Sequence, residues 1–259
     1  MKRRSFLKTA VAGSLLAGAG ALVQAETASP TFRQILELRR FKISSEPKRR
    51  FVTRFLKQAA IPALNRLGIK PVGVFYEMPD AGDDSITVLT GYPSVIRYLN
   101  VFQQLGEDEA FLEAAHDYLH TEKNDPAYDR VENWLLIAFS GFPAIKVPRR
   151  GQRLFELRTY ESHNELKAAL KIEMFNTAEL DIFRKVHLEG VFFGQALVGP
   201  DLPQLTYMLV FKDQADREAR WKAFGADPDW QTLRQEERYR DTVSKIHRRF
   251  LLPAPCSQI

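Results

Sequence analysis

The sequence predicts an α+β fold built from two copies of a strand–helix–strand–strand–helix–strand unit, closing on each other as a barrel with helices outside. Three observations predict it. First, "ILELRRF" (Ile35 to Phe41) returns as "LFELRTY" (Leu154 to Tyr160). Second, the same succession of patterns follows each copy. Third, one four-stranded sheet with helices on one side leaves its other face bare, and a second copy in the chain can cover it.

The elements follow in order. "KRRSFLK" precedes "TAVAGSLLAGAGALVQA", an uncharged, small-residue run. Basic head, apolar middle and the small-residue end at Ala25 fit a secretory signal over residues 1–25. Arg3-Arg4 before Ser5-Phe6-Leu7-Lys8 resembles a twin-arginine signal, so a periplasmic or secreted location is expected. Thr9 to Ala25 is too short and too glycine-interrupted for a stable membrane span. Four of the five net positive charges sit on Lys2, Arg3, Arg4 and Lys8, and no acid precedes Glu26, so the remainder carries +1. A nearly neutral body with interspersed signs does not read as nucleic-acid binding, which needs a concentrated basic face. Cys256 is the one cysteine, which excludes intramolecular disulfides and thiolate metal clusters.

The first repeat is expected over residues 31–142. Its strands are "ILELRRF", "PVGVFYEM", "SITVLTGY" and "VENWLLIAF", with a basic amphipathic helix around "PKRRFVTRFLKQ" whose Phe51, Phe55 and Leu56 make a core stripe. About 19 residues more than in the second copy separate the third strand from Asp125. Within them Phe111, Leu112, Ala115 and Leu119 repeat at helical spacing, predicting one added amphipathic helix. Residues 143–153, with two prolines and a glycine, read as a linker.

The second repeat is expected over residues 154–252. "VFFGQALVG" and "LTYMLVF" are its hairpin strands, and "TVSKIHRRFLL" its last. Asp213 fits an N-cap for a helix to about Phe224, with Gly225 at its end. Asp227 and Pro228 restart a helix. The weaker twin of "DPDW" is "DPAY" at Asp125. Strand, helix, strand, strand, helix, strand is the ferredoxin-like split βαβ order.

"FELRTY", "LTYMLVFKD", "REARWKAFGADPDW" and "PAPCSQI" resemble the NIPSNAP family, in a bacterial, two-repeat, exported form. The resemblance spans nearly the whole chain beyond the signal and is strongest in the second half. It implies a dimeric α/β-barrel-like arrangement within one chain, related to stress-responsive barrels and to small cofactor-free monooxygenases. It supplies no catalytic apparatus.

Strand alternation places Phe155 and Leu157 toward the helices, and Glu156, Arg158 and Tyr160 into the barrel lumen. Glu37 and Arg39 are expected to do the same in the first copy. A buried Glu and Arg two residues apart should pair. Two such pairs would give either structural ion pairs or a polar floor for a small apolar-acidic ligand. His187, between the second repeat's long helix and its next strand, is a candidate at the lumen mouth as haem ligand or general base. His163 fits a turn before a helix, and His247 lies on the last strand. His116 and His120 share a helix face with Glu113 nearby, which reads as a solvated face rather than a metal site; no metal and no cofactor are expected. Glycine-rich phosphate loops and nucleophile elbows are absent from the sequence. The expected function is a small-molecule-binding or assembly module, pairing with itself as a homo-oligomer or holding a ligand. The alternative is a cofactor-independent or haem-linked monooxygenase-like enzyme in which Arg158, Tyr160 and His187 orient the substrate.

Overall fold

The computed structural model describes residues 32–151 and 153–259. The signal reading of residues 1–25 lies outside the described residues. Eight strands form a closed antiparallel barrel: β1 Ile35–Lys42, β2 Val72–Glu77, β3 Ile86–Tyr92, β4 Arg130–Ala138, β5 Leu154–Glu161, β6 Glu189–Val198, β7 Gln204–Phe211 and β8 Lys245–Pro253. Their order around the barrel is β1-β3-β2-β8-β5-β7-β6-β4. The fold is thus mixed α/β.

Helices cover the outside. α1 Glu46–Phe55 runs through a π-helical turn, Leu56–Ala60, into α2 Ile61–Arg66. α3 Val95–Gly106, α4 Glu109–Ala114 and α5 His116–Leu119 follow β3. In the second half, α6 Glu165–Met174 runs through a π-helical turn, Phe175–Glu179, into α7 Leu180–Lys185; α8 Gln214–Ala226 and α9 Pro228–Leu233 follow β7. Short polar side chains start them. Ser94 accepts from the Arg97 amide, Asn164 from Lys167, and Asp213 from Asp216, each satisfying a first-turn donor.

The barrel interior is apolar. Leu36, Leu38, Phe75, Leu89, Leu136, Phe155, Leu157, Phe192, Met208 and Leu251, drawn from all eight strands, form one buried cluster. Ile259 joins it, fully buried. The C-terminal run is fixed along β2: Gln258 N donates to Val72 O, and the Ser257 hydroxyl accepts from Val74 N. This reverses the expected faces. Phe155 and Leu157 point into the barrel, and Glu156, Arg158 and Tyr160 point out beneath the helices, as do Glu37 and Arg39. The physical reason is satisfaction of charge. The helix layer gives Glu156 the Arg217 guanidinium and the Trp221 indole N–H, whereas the lumen cluster around Phe155, Leu157 and Leu251 would leave a carboxylate unpaired.

Three smaller expectations also change. The inserted segment makes two short helices, α4 and α5, with Leu112 and Leu119 exposed and Phe111 and Ala115 buried. Gly225 lies inside α8 rather than beyond it. Asp125-Pro126 starts no helix; Tyr128 instead packs edge-on against Phe41, with ring centroids 5.4 Å apart. Asp227 caps α9, accepting from Asp229 N and Trp230 N, as the sequence predicts. Among the described residues no helix is long and apolar enough to cross a membrane.

Candidate functional site

Strand β5 supplies a charged layer under α8. Glu156 is fully buried and accepts from Arg217 Nε at 2.9 Å, Arg217 Nη2 at 3.0 Å and Trp221 Nε1 at 2.8 Å. Bidentate guanidinium contact with a carboxylate is a strong, directional pairing. Arg158 Nη1 stands 3.5 Å from Glu156, and its guanidinium lies 4.2 Å over the Trp221 ring. The Tyr160 and Tyr207 hydroxyls share a hydrogen bond of 2.7 Å; burial pushes both phenols up. A second buried pair lies beyond them, where Lys171 Nζ donates to Glu179 at 2.6 Å. Burial raises the Glu179 carboxyl, with Lys171 and Arg158 opposing. In the first half Glu37 accepts from Arg39 at 2.7 Å and from the Tyr92 hydroxyl at 2.8 Å. The expected Glu–Arg pairing is therefore present in both halves, on the outer face of the sheet.

The polar part of the lumen lies at one end. A space of about 240 Å³ there is lined by Arg40, Trp134, Thr159, His247 and Arg249 among others. Burial, with the neighbouring Arg40 cation, pushes the Arg249 guanidinium down to about 9.

A larger cleft opens outside the barrel, among α7, the segment from Phe142 to Val147, the start of β6, and Arg220 of α8. It holds about 610 Å³. Phe142, Leu180, Phe183, Leu188 and Phe193 line it with apolar surface, and Lys146, Arg184, His187 and Arg220 bring cationic or titratable groups. The aromatic floor depends on Gly190. A Cβ there would stand 2.4 Å from the Phe193 ring and 3.2 Å from Phe142. Lys146 Nζ lies 4.5 Å over the Phe142 ring.

His187 sits on this cleft rather than at a lumen mouth. Its backbone is left-handed, φ 58°. His187 N donates to Arg184 O and Leu188 N to Phe183 O, the paired bonds of a Schellman helix end. Gly68, φ 75°, ends α2 the same way, through Gly68 N to Asn65 O and Ile69 N to Leu64 O. A non-glycine residue pays a conformational cost at such a site. Arg220 Nη1 donates to the His187 carbonyl at 2.7 Å. The cleft brings together Lys146, Gly190 and Arg220, none of which strand alternation singles out. The one sequence signal for it was His187 itself, placed between a long helix and the next strand.

His116 and His120 stack at 4.2 Å with exposed side chains, and no group of three or more metal-ligating side chains occurs among the described residues.

Three solved structures share the fold over most of the chain. A candidate monooxygenase from Lactobacillus acidophilus NCFM is 11% identical, with 85% of this chain and 94% of that one covered at a TM-score of 0.58. A candidate monooxygenase from Fusobacterium nucleatum subsp. nucleatum is 10% identical, covering 86% and 93%, TM-score 0.55. An anthrone oxidase-like protein is 9% identical, covering 86% and 92%, TM-score 0.50. At these identities the likeness is one of fold. No curated protein matches the sequence. The NIPSNAP family model matches residues 155–258, from the second residue of β5 to Gln258 on the C-terminal run. The second half of this chain thus carries a match to the NIPSNAP domain.

Proposed function

We propose that this protein is an exported small-molecule-binding module, taking a small apolar-acidic ligand in the cleft bounded by Phe183, Phe193, Lys146 and Arg220. The carrying observation is the cleft's chemistry: a floor of aromatic rings with Lys146, Arg184 and Arg220 at the rim against one acid, Glu189. Such a surface buries an apolar body and leaves a carboxylate at the guanidinium and ammonium. The test is calorimetric titration with aromatic and short-chain carboxylic acids. Binding should be saturable, and Lys146→Glu and Arg220→Ala should each weaken it by about tenfold, the value of one charge-assisted contact. Equal affinity for the corresponding neutral amides would sink the acidic preference.

The scaffold reading is two ferredoxin-like repeats, residues 31–142 and 154–252, joined by residues 143–153. A constant spacing of 119 residues (154 − 35, 165 − 46) supports it. It relates Ile35 to Leu154, Glu46 to Glu165, the π-helical turns at Leu56 and Phe175, and Ile61 to Leu180. Each set of four strands has the order 4-1-3-2 along the barrel wall. Export through residues 1–25 is tested by fusing that segment to a folded reporter and replacing Arg3-Arg4 with lysines. Homo-oligomer formation is tested by light scattering.

A second reading is a monooxygenase-like enzyme, cofactor-independent or haem-linked. The Tyr160–Tyr207 hydroxyl pair favours it, one aromatic layer behind the cleft: the Tyr207 ring stacks on Phe193 at 5.1 Å and 9°. Oxygen uptake with a phenolic acid, abolished in Tyr207→Phe without loss of binding, would support it. A Soret band in protein purified from its own host would select the haem form.

A further inference from the structure

The cleft does not end at its rim. His187, Glu189 and Arg220 also line a smaller space of about 180 Å³, and Arg153 and Lys212 of that space line a third, of about 780 Å³, beside the β2–β3 turn and β8. The three spaces thus adjoin one another through shared side chains.

Unpaired cations gather in the far part of this surface. Arg149, Arg153, Lys212 and Arg248 line its far part, and none has an acidic partner among the described residues. The Arg153 Nε is buried with no hydrogen-bond partner among the described residues. Most facing acids are already engaged. Asp216 binds Arg220, Asp83 binds Arg40, Glu77 binds Arg249, and Asp213 caps α8. Glu189 and Asp80 remain. A row of unpaired guanidinium and ammonium groups matches the oxygens of a phosphate monoester better than a single carboxylate.

The geometry points to one extended amphiphile as the ligand: an apolar end in the aromatic cleft and a phosphate at Arg153 and its neighbours. This rests on the cleft reading above and names the ligand class for it. The test compares octyl phosphate, octanoate and inorganic phosphate by calorimetry below micelle-forming concentration, on the full protein and on Arg153→Ala/Arg248→Ala. Both substituted side chains reach solvent, so the fold should survive; circular dichroism checks this. Octyl phosphate should bind at least about tenfold tighter than octanoate, as one or two extra charge-assisted contacts require. In the double variant the ratio should fall to within about twofold, with octanoate affinity held. Octanoate binding as tightly as octyl phosphate would overturn the inference and leave the cleft reading standing. Failure of both alkyl ligands would overturn the two together. Inorganic phosphate binding as well as octyl phosphate would show a phosphate site separate from the cleft and overturn the joined ligand. Sedimentation with phosphatidylcholine vesicles carrying phosphatidate, without binding of free octyl phosphate, would move the phosphate to a membrane surface and overturn the soluble form.

Discussion

The Arg158 guanidinium lies 4.2 Å over the Trp221 ring, and the same arrangement occurs in the first half, where Arg39 lies 5.5 Å over Phe102. Each arginine stands two residues after a buried glutamate, and each aromatic stands eight residues after its helix N-cap, Asp213 or Ser94. Cation–π contacts that exclude water contribute up to about 2 kcal/mol. The pair fastens a helix to the outer face of the sheet in each half. Arg158→Met should therefore lower the thermal midpoint by several degrees, about 1–2 kcal/mol. Trp221→Phe keeps an aromatic face for Arg158 but removes the indole hydrogen bond to buried Glu156, and should cost at least as much. Thermal unfolding monitored by circular dichroism checks both.

Glu156 anchors the same layer. Its carboxylate holds Arg217 through two bonds and the Trp221 indole through a third. Removing one member of a buried pair leaves the other charge uncompensated, at about 3–5 kcal/mol. Glu156→Ala is expected in that range by urea unfolding. A double-mutant cycle with Arg217→Met should show strong coupling, since the cost of the stranded cation disappears when it too is removed.

The Lys171–Glu179 pair gives a pH dependence. Burial holds the Glu179 carboxyl above its ordinary value. A carboxyl raised on folding stabilises the fold in its protonated form. That contribution is full below the ordinary carboxylate range and is lost as pH rises through the raised value. Glu179→Gln should thus gain on the parent protein as pH increases across this window. Lys171→Met leaves the carboxylate unpaired and should cost about 3–5 kcal/mol near neutral pH, with most of it recovered in Lys171→Met/Glu179→Leu. Denaturant midpoints measured from weak acid to neutral pH decide the matter, and parallel curves for Glu179→Gln and the parent would refute it.

The eight strands, the closed barrel and the caps at Asp213 and Asp227 were legible in the sequence because they rest on short polar caps and period-2 alternation. The face assignment was not. All eight residues of β7 are buried, and in β5 only Thr159 and Glu161 are not. Alternation separates two faces but does not say which meets the lumen when both are dry. Charge on one face suggested a polar lumen; the partners that satisfy Glu156 lie on α8, distant in sequence. The cleft was hidden for the same reason, since Phe142, Gly190 and Arg220 meet only after β6 is laid against α7 and α8. At Asp125 a matching dipeptide misled, because aromatic packing of Tyr128 and Tyr118 on α1 and β1 takes the place of the helix.

Ile259 is a packing prediction. Fully buried in the lumen, it stands 3.0 Å from where a Cβ on Gly73 would lie. Ile259→Ala removes methylene groups from a close-packed interior and should cost about 2–5 kcal/mol. Gly73→Ala meets Phe75 at 2.7 Å as well and should also destabilise. Midpoints unchanged in both variants would contradict the filled lumen.

His187 joins stability to function. Its left-handed backbone closes α7 as Gly68 closes α2, 119 residues earlier (187 − 68). Glycine adopts that conformation without the Cβ–carbonyl clash, which costs other residues about 1–2 kcal/mol. His187→Gly should therefore stabilise the protein, by up to about 1 kcal/mol once the added freedom of the unfolded chain is counted. His187→Ala keeps the backbone strain and loses the imidazole, so it should gain nothing. If the imidazole serves the cleft, both variants should bind an apolar acid more weakly, and only His187→Gly should melt higher. A His187→Gly protein that is both more stable and unchanged in binding would remove His187 from the site and leave Lys146 and Arg220 as its cations.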